Sequence, residues 1–349
     1  MVEETRRVRR RYRTGDEGLD AKIAELIEAS GISNDSDLVA EMITSCFRVA
    51  RDRSDRGEMK LVNAALKEFA YAFKVFKAYR DVRKVSIFGS SRSSAEDPNY
   101  ECARQFAEAI AERGWMVITG AGPGIMEAGH EGAGAERSFG ANIRLPMEME
   151  PNVIIEGDPK LINFKYFFTR KVTFLKESHA FALFPGGFGT LDETFELLTL
   201  MQTGKSDLHP VVLLETHGGD YWSEWRRFIE RHLAGHGLIS LADLDLVYIT
   251  DNIEAAVTEI EGFYRNYHSQ RYVNGVLTFR LQRLPDERSL AHLSKEFADI
   301  LRSGSLRAVA PSEAEVAEGD SPELPRLALD FNQRSHGRLR HLIDALNEF

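Results

Sequence analysis

The sequence predicts an α/β protein: a Rossmann-like, doubly wound parallel sheet with an N-terminal helical extension and a small C-terminal α/β appendage. Three observations carry this. From Lys84 onward, short apolar runs alternate with helical stretches; the runs are apolar almost throughout rather than at every second residue; and three of them exit into Gly- and Ser-rich turns. Strands apolar on both faces are covered on both, and strands separated by helices pair in parallel. Ligands in such sheets bind beyond the carboxyl ends of the strands.

At 349 residues the chain has room for one large α/β domain with extensions. Its 43% hydrophobic and 28% charged residues are ordinary for a soluble globular protein. A net charge of -10 opposes a general nucleic-acid partner, because such binding neutralises phosphates with Lys and Arg. The local exception is RRVRRRYR at 6–13, readable as a basic arm or as a solvated tail. No apolar signal region and no run of about 18 apolar residues is present, so neither a secretory signal nor a membrane span is expected, and the compartment is read as cytoplasmic. The two cysteines, Cys46 and Cys102, supply no disulfide framework and no CxxC metal pair.

Helical periodicity first marks residues 19–30, 35–53 and 58–80. The second pattern opens on Asp35-Ser36-Asp37 as a capping candidate, and the third spaces Leu61, Leu66, Phe69, Phe73 and Phe76 at helical intervals. With the tail they form a segment 1–81, read as packing or oligomer surface. The core, 82–268, places strands at 84–88, 115–119, 139–145, 179–184 and 210–215. Beyond it, 269–349 reads as a βαβα appendage: strand 273–283, helix 286–302, an acidic loop 310–325, strand 326–331 and helix 334–348.

Three strand exits, Gly89-Ser90-Ser91, Gly120-Ala121-Gly122-Pro123-Gly124 and Gly186-Gly187-Phe188-Gly189-Thr190, share one edge of the predicted sheet. Glycine lets backbone N–H groups approach an anion, and a following helix N-terminus adds a favourable dipole. Singly each fits a tight turn equally well; together they favour a phosphorylated ligand. A dinucleotide fingerprint is not met, because the glycines at 120, 122 and 124 follow the second strand and Ile occupies 125. No GxxxxGK[ST], HExxH or clustered Cys/His set occurs, so neither a P-loop nor a metal site is proposed.

Thr190-x-x-Glu193 at the end of PGGFGTLDE has the spacing of a capping box, which would employ Glu193 on a backbone N–H. It equally offers a carboxylate beside an anion nest, and the two uses are compatible. Upstream, the aromatic segment from Phe164, read as helical, ends in Arg170-Lys171. Arg170 suits bidentate phosphate binding and Lys171 a point charge; a solvated basic pair is the plain alternative.

At these residues the sequence resembles the LOG (Lonely Guy) family of cytokinin riboside 5′-monophosphate phosphoribohydrolases, often mislabelled lysine decarboxylases. GAGPGIMEA (120–128), FFTRK (167–171) and PGGFGTLDE (185–193) carry the likeness, which spans about 82–265 and has the extensions of longer bacterial members. The resemblance implies a Rossmann-like fold, a homodimer or assembly of dimers, and hydrolysis of the N-glycosidic bond of a nucleoside 5′-monophosphate without a metal or organic cofactor. It implies Arg170 and Glu193 as catalytic residues, Gly186, Gly187, Gly189 and Thr190 as the phosphate turn, and Gly89, Ser90, Ser91 and Met126 as lining of the nucleotide pocket. Gly122, Gly124 and Lys171 join the expected binding set. Ala121 departs from the family's usual glycine, so its methyl is expected to tighten the pocket or alter the backbone's approach. Competing readings are a binding or carrier protein of the same fold, a dehydrogenase, and a pyridoxal-phosphate decarboxylase using Lys165 or Lys171.

Overall fold

The computed structural model describes residues 12–52, 55–144 and 150–349. Most of the arginine-rich segment lies outside them. The chain divides into two compact units, the first ending at Glu68 and the second running Phe69–Phe349.

In the first unit, α1 (Glu17–Ser30) starts where the Asp16 carboxylate accepts from the Leu19 N–H and stops at Gly31 in the left-handed region. It buries Ile23 and Ile27. Asp35 does precede α2 (Ser36–Arg51), but at φ 55° its side chain makes no capping bond. Helix α3 (Arg56–Phe76) ends in a 3-10 turn at Lys77–Tyr79, short of the expected residue 80. Its last turns belong to the second unit, where the Phe76 ring stacks on Phe139 at 4.5 Å.

The second unit holds the doubly wound sheet. Its strands are β1 (Lys84–Phe88), β2 (Met116–Thr119), β3 (Ser138–Ile143), β4 (Leu161–Phe164), β5 (Ala180–Leu183), β6 (Val211–Leu214) and β7 (Tyr248–Thr250). They lie in the order β4-β3-β2-β1-β5-β6-β7, every described pairing parallel. Helices α4 (Pro98–Glu112), α5 (Ile125–Ala133), α6 (Phe167–Glu177), α7 (Phe188–Gln202) and α8 (Tyr221–Phe228) lie in the connections between them, and α9 (Ile253–Phe263) follows β7. The central strands are buried on both faces, as their apolar runs require. Strand order reverses between β1 and β5, so their following loops part there and open a crevice.

Two strands escape the sequence reading. β4 takes Phe164, which the sequence assigned to a helix, and β7 is a three-residue exposed edge. Edge strands are short and half-solvated, so they lack a sustained apolar run.

The appendage departs further from expectation. It is a four-stranded antiparallel sheet, β10-β11-β9-β8, rather than a βαβα unit. β8 (Tyr267–Val273) and β9 (Val276–Leu281) form a hairpin whose turn, Asn274-Gly275, has positive φ at both residues. An Asn-Gly pair is a strong hairpin signal, and reading 273–283 as one strand overlooked it. Helix α10 (Glu287–Glu296) stops early, and β10 (Leu301–Val309), largely exposed and interrupted by register shifts, takes the last two residues of the expected helix and the stretch after it that had no assignment. The acidic loop contains α11 (Glu313–Glu318), opened by a Ser312/Glu315 capping box. β11 (Arg326–Phe331) and α12 (His336–Asn347) close the chain. One core of buried side chains continues from Val85 to Leu346 across both sheets. Among the described residues no helix is long and apolar enough to cross a membrane.

Candidate active site

A cleft of about 860 Å³ opens at the switch point between β1 and β5. The backbone stitches its three loops together. The Ser90 N–H donates to the Pro185 carbonyl at 3.1 Å, while the Ser90 carbonyl accepts from the Ile125 N–H at 3.0 Å. Gly124 has φ 71°, and a Cβ there would fall 2.4 Å from the Ser90 carbonyl oxygen. Only glycine permits both the left-handed conformation and that approach. At Gly186 a Cβ would lie 2.1 Å from Thr190 Oγ1. The Gly186 carbonyl accepts from the Tyr221 hydroxyl at 2.7 Å, which fixes the turn from outside.

The helices that begin at the cleft lack side-chain caps. α5 starts at Gly124, α6 at Tyr166 and α7 at Gly187, each without a capping bond. Away from it, Asp97, Asn252 and Asp286 cap α4, α9 and α10. A helix start without a cap leaves backbone N–H donors and the positive dipole end available to an anion.

This corrects the capping-box reading. α7 begins at Phe188, two residues before Thr190, so Thr190 is no cap and Glu193 sits in the second turn. Its carboxylate instead lines the cleft, 3.5 Å from Lys171 Nζ and 4.0 Å from Arg170 Nη2. Asp192 and Glu196, the neighbouring carboxylates, hold Lys171 at 2.9 and 2.5 Å. Arg170 is nearly enclosed, lies against the Phe167 and Phe174 rings, and has an Nε with no acceptor among the described residues.

Burial pushes the Glu193 carboxyl above its ordinary range, against the opposing pull of Lys171 and Arg170. Burial lowers the Arg170 guanidinium from its very high ordinary value. For Lys171 burial also acts downward, but Asp192, Glu196 and Glu193 together raise the ammonium. A raised, triply engaged lysine is the opposite of the depressed amine that Schiff-base chemistry uses.

Gly89, Ser90, Ser91, Gly122, Met126, Arg170, Gly186, Gly187, Gly189, Thr190 and Glu193 all line the cleft. Gly124 stands behind the rim as the start of α5, and Lys171 reaches the site through its carboxylate partners. Ala121 has φ 62° and is fully buried outside the lining, its methyl turned toward β3 at Gly140. The expected tightening of the pocket does not occur. The strained loop is held by polar contacts: the Ala121 N–H donates to Thr119 Oγ1, and Asn152 donates to the carbonyls of Ala121 and Gly122. Buried His130 meets the same Asn152 at 3.2 Å.

The sequence reading placed Gly120 and Phe188 in their glycine turns but missed Phe88, Arg92, Asn142, Ile143, Phe167 and Phe174 as lining. Asn142 and Ile143 end β3, so the strand-end rule extended to that strand finds them. Phe167 and Phe174 flank Arg170 at helical spacings of three and four. Nothing local marks His130 or Asn152, which come together through tertiary contacts.

Fold and site define a Rossmann-like α/β protein with its charged cleft at the switch point. The family model described as "Possible lysine decarboxylase" matches residues 121–260. The cytokinin riboside 5′-monophosphate phosphoribohydrolase LOG7 of Arabidopsis thaliana is 28% identical over 189 residues, 52% of this chain and 82% of the relative. The pyrimidine/purine nucleotide 5′-monophosphate nucleosidase of Escherichia coli is 28% identical over 146 residues, 39% of this chain and 32% of its own length. Among solved structures, the molybdenum cofactor binding protein of Rippkaea orientalis aligns with a TM-score of 0.37 at 20% identity, over 52% of this chain and 94% of that one, a likeness too distant to bear on function. The family-model match and these relatives agree with the likeness to the LOG family that the motifs carry.

Proposed function

We propose that the protein hydrolyses the N-glycosidic bond of a nucleoside 5′-monophosphate, AMP or an N6-prenylated AMP, to free base and ribose 5-phosphate. The observation that carries this reading is the placement of an uncapped helix start, a buried arginine and a carboxylate of raised pKa within one cleft. The two relatives described above, by their names, act on riboside or nucleotide 5′-monophosphates.

In this reading the 5′-phosphate sits on the free N–H groups at Gly187–Thr190, and its binding energy places the ribose C1′ against Glu193. Cleavage develops positive charge on the sugar. An ionised Glu193 stabilises that charge and orients the attacking water. Arg170 keeps its proton and positions the ribose or phosphate with its unclaimed donors. A homodimer, or an assembly of dimers, working in the cytoplasm completes the proposal, and light scattering of the purified protein tests the dimer.

The deciding experiment incubates the protein with a panel of nucleoside 5′-monophosphates, including AMP and isopentenyl-AMP, beside Glu193→Gln. Base release by the wild type alone, and not from the matching nucleosides, supports the hydrolase. Tight nucleotide binding without base release overturns it in favour of a carrier or sensor.

A further inference from the structure

Gly120 and Gly122 belong to the part of the cleft wall that lies against Met126 and Arg170. A Cβ on Gly120 would fall 2.6 Å from Met126 Sδ and 3.6 Å from Arg170 Nη1, and one on Gly122 2.7 Å from Met126 Cε. Between them Ala121 holds φ 62°, a left-handed conformation that glycine takes freely and alanine does not. Contacts from outside the segment must impose it.

Three interior polar residues do so. Thr119 Oγ1 accepts from the Ala121 N–H at 3.0 Å, while Asn152 donates its backbone N–H to the Ala121 carbonyl at 2.8 Å and its Nδ2 to the Gly122 carbonyl at 3.0 Å. His130 joins the two. Its Nε2 stands 2.9 Å from Thr119 Oγ1 and 3.1 Å from the Phe139 carbonyl, and its Nδ1 3.2 Å from Asn152 Oδ1. Thr119 and His130 are fully buried and Asn152 nearly so. Buried polar groups are costly unless they are bonded, and here the bonds converge on one strained residue of the cleft wall.

We propose that Thr119, His130 and Asn152 are positioning residues for the nucleotide: they preform the Gly120–Gly122 wall, so that the substrate meets it already in its bound shape. The inference rests on the hydrolase reading for the identity of the ligand, a nucleoside 5′-monophosphate. Glu193 and Arg170 stand on other elements, α7 and α6. Loosening this wall therefore weakens binding and leaves the chemical step in place.

The test reads KM and kcat for AMP separately. Asn152→Ala should raise KM by about tenfold, the worth of one buried hydrogen bond, with kcat held within about twofold. Adding Ala121→Gly to Asn152→Ala should bring KM back to within about threefold of the wild type, because glycine adopts the left-handed conformation unaided; Ala121→Gly alone is the reference. Thr119→Val, which removes the acceptor of the Ala121 N–H, should repeat the pattern. An unchanged KM in folded Asn152→Ala, or a loss that Ala121→Gly does not relieve, overturns the proposal. Amide exchange in the wild type tests it without a variant: the Ala121 N–H should be as protected in the free protein as with AMP bound, and protection that appears only with AMP overturns a preformed wall. A wild type that binds AMP without releasing base overturns the hydrolase reading alone, and the dissociation constants of the same variants then decide this inference. A wild type that neither binds nor cleaves any nucleotide of the panel overturns both.

Discussion

Glu193 in the cleft and Glu315 in the appendage are both interior glutamates set between two cations, yet their carboxyls are driven in opposite directions. Burial raises Glu193, whose ion pairs to Lys171 and Arg170 stand at 3.5 and 4.0 Å. Glu315 also meets the burial penalty, but it accepts from the Ser312 N–H and hydroxyl and from Arg280 at 2.8 Å, and these bring it down to about 2. Arg326, fully buried, adds a further contact at 3.5 Å. Full hydrogen bonding offsets desolvation in one place, and loose pairing leaves it uncompensated in the other. The first arrangement is a structural clamp. The second keeps a carboxylate and a guanidinium whose capacity is left for a ligand.

The largest separation of the two comes from Glu193→Gln and Glu315→Gln. Glu193→Gln is expected to lower base release by roughly a thousandfold, while the melting temperature holds or rises, because a disfavoured buried charge is removed. Glu315→Gln should do the reverse, leaving Arg280 and Arg326 short of a counter-charge and costing about 3–5 kcal/mol of stability. Calorimetry beside initial rates reads both. A loss of stability in Glu193→Gln would break the comparison.

Gly186→Ala comes next. Its methyl meets Thr190 Oγ1 and must open the turn, so kcat/KM for the nucleotide should fall by about tenfold to a hundredfold while nucleoside binding changes little. Affinities for the two ligands in parallel check this.

pH separates the clusters by sign. If the ionised Glu193 is the working form, the acid limb of kcat/KM lies above the ordinary glutamate value of 4.5. For stability, a raised folded pKa means that its contribution is present below 4.5 and is lost as pH rises through the folded value. Glu315, depressed to about 2, stabilises above 4.5 and loses that contribution as pH falls from there toward 2. A pH–rate profile and acid unfolding of Glu315→Gln against wild type distinguish them. The smallest effect belongs to Asp192→Asn: this carboxylate is 63% exposed and shares Lys171 with Glu196, so base release should change by no more than about twofold.

Legibility followed the range of the forces involved. The central strands, the glycine turns and the Arg170/Glu193 pair were readable because each is written in adjacent residues: apolar runs, Gly-rich exits, an aromatic stretch ending in cations. What failed was local in another sense. The Thr190/Glu193 spacing fits a capping box, and only the helix starting at Phe188 released Glu193 from that task. β4 and β7 depend on a neighbour to pair with, and β10 is specified by β11 beside it rather than by its own exposed residues.

By itself the sequence determined the doubly wound sheet and the edge where its glycine turns gather, since strand burial and glycine turns are short-range properties of the chain. The tertiary structure alone decided which carboxylate is loosely paired, that Ala121 faces away from the cleft, and that Trp225 lacks an acceptor where Trp222 has one. Those outcomes depend on desolvation and on distances of a few ångströms between residues far apart in the chain, which no spacing along it encodes.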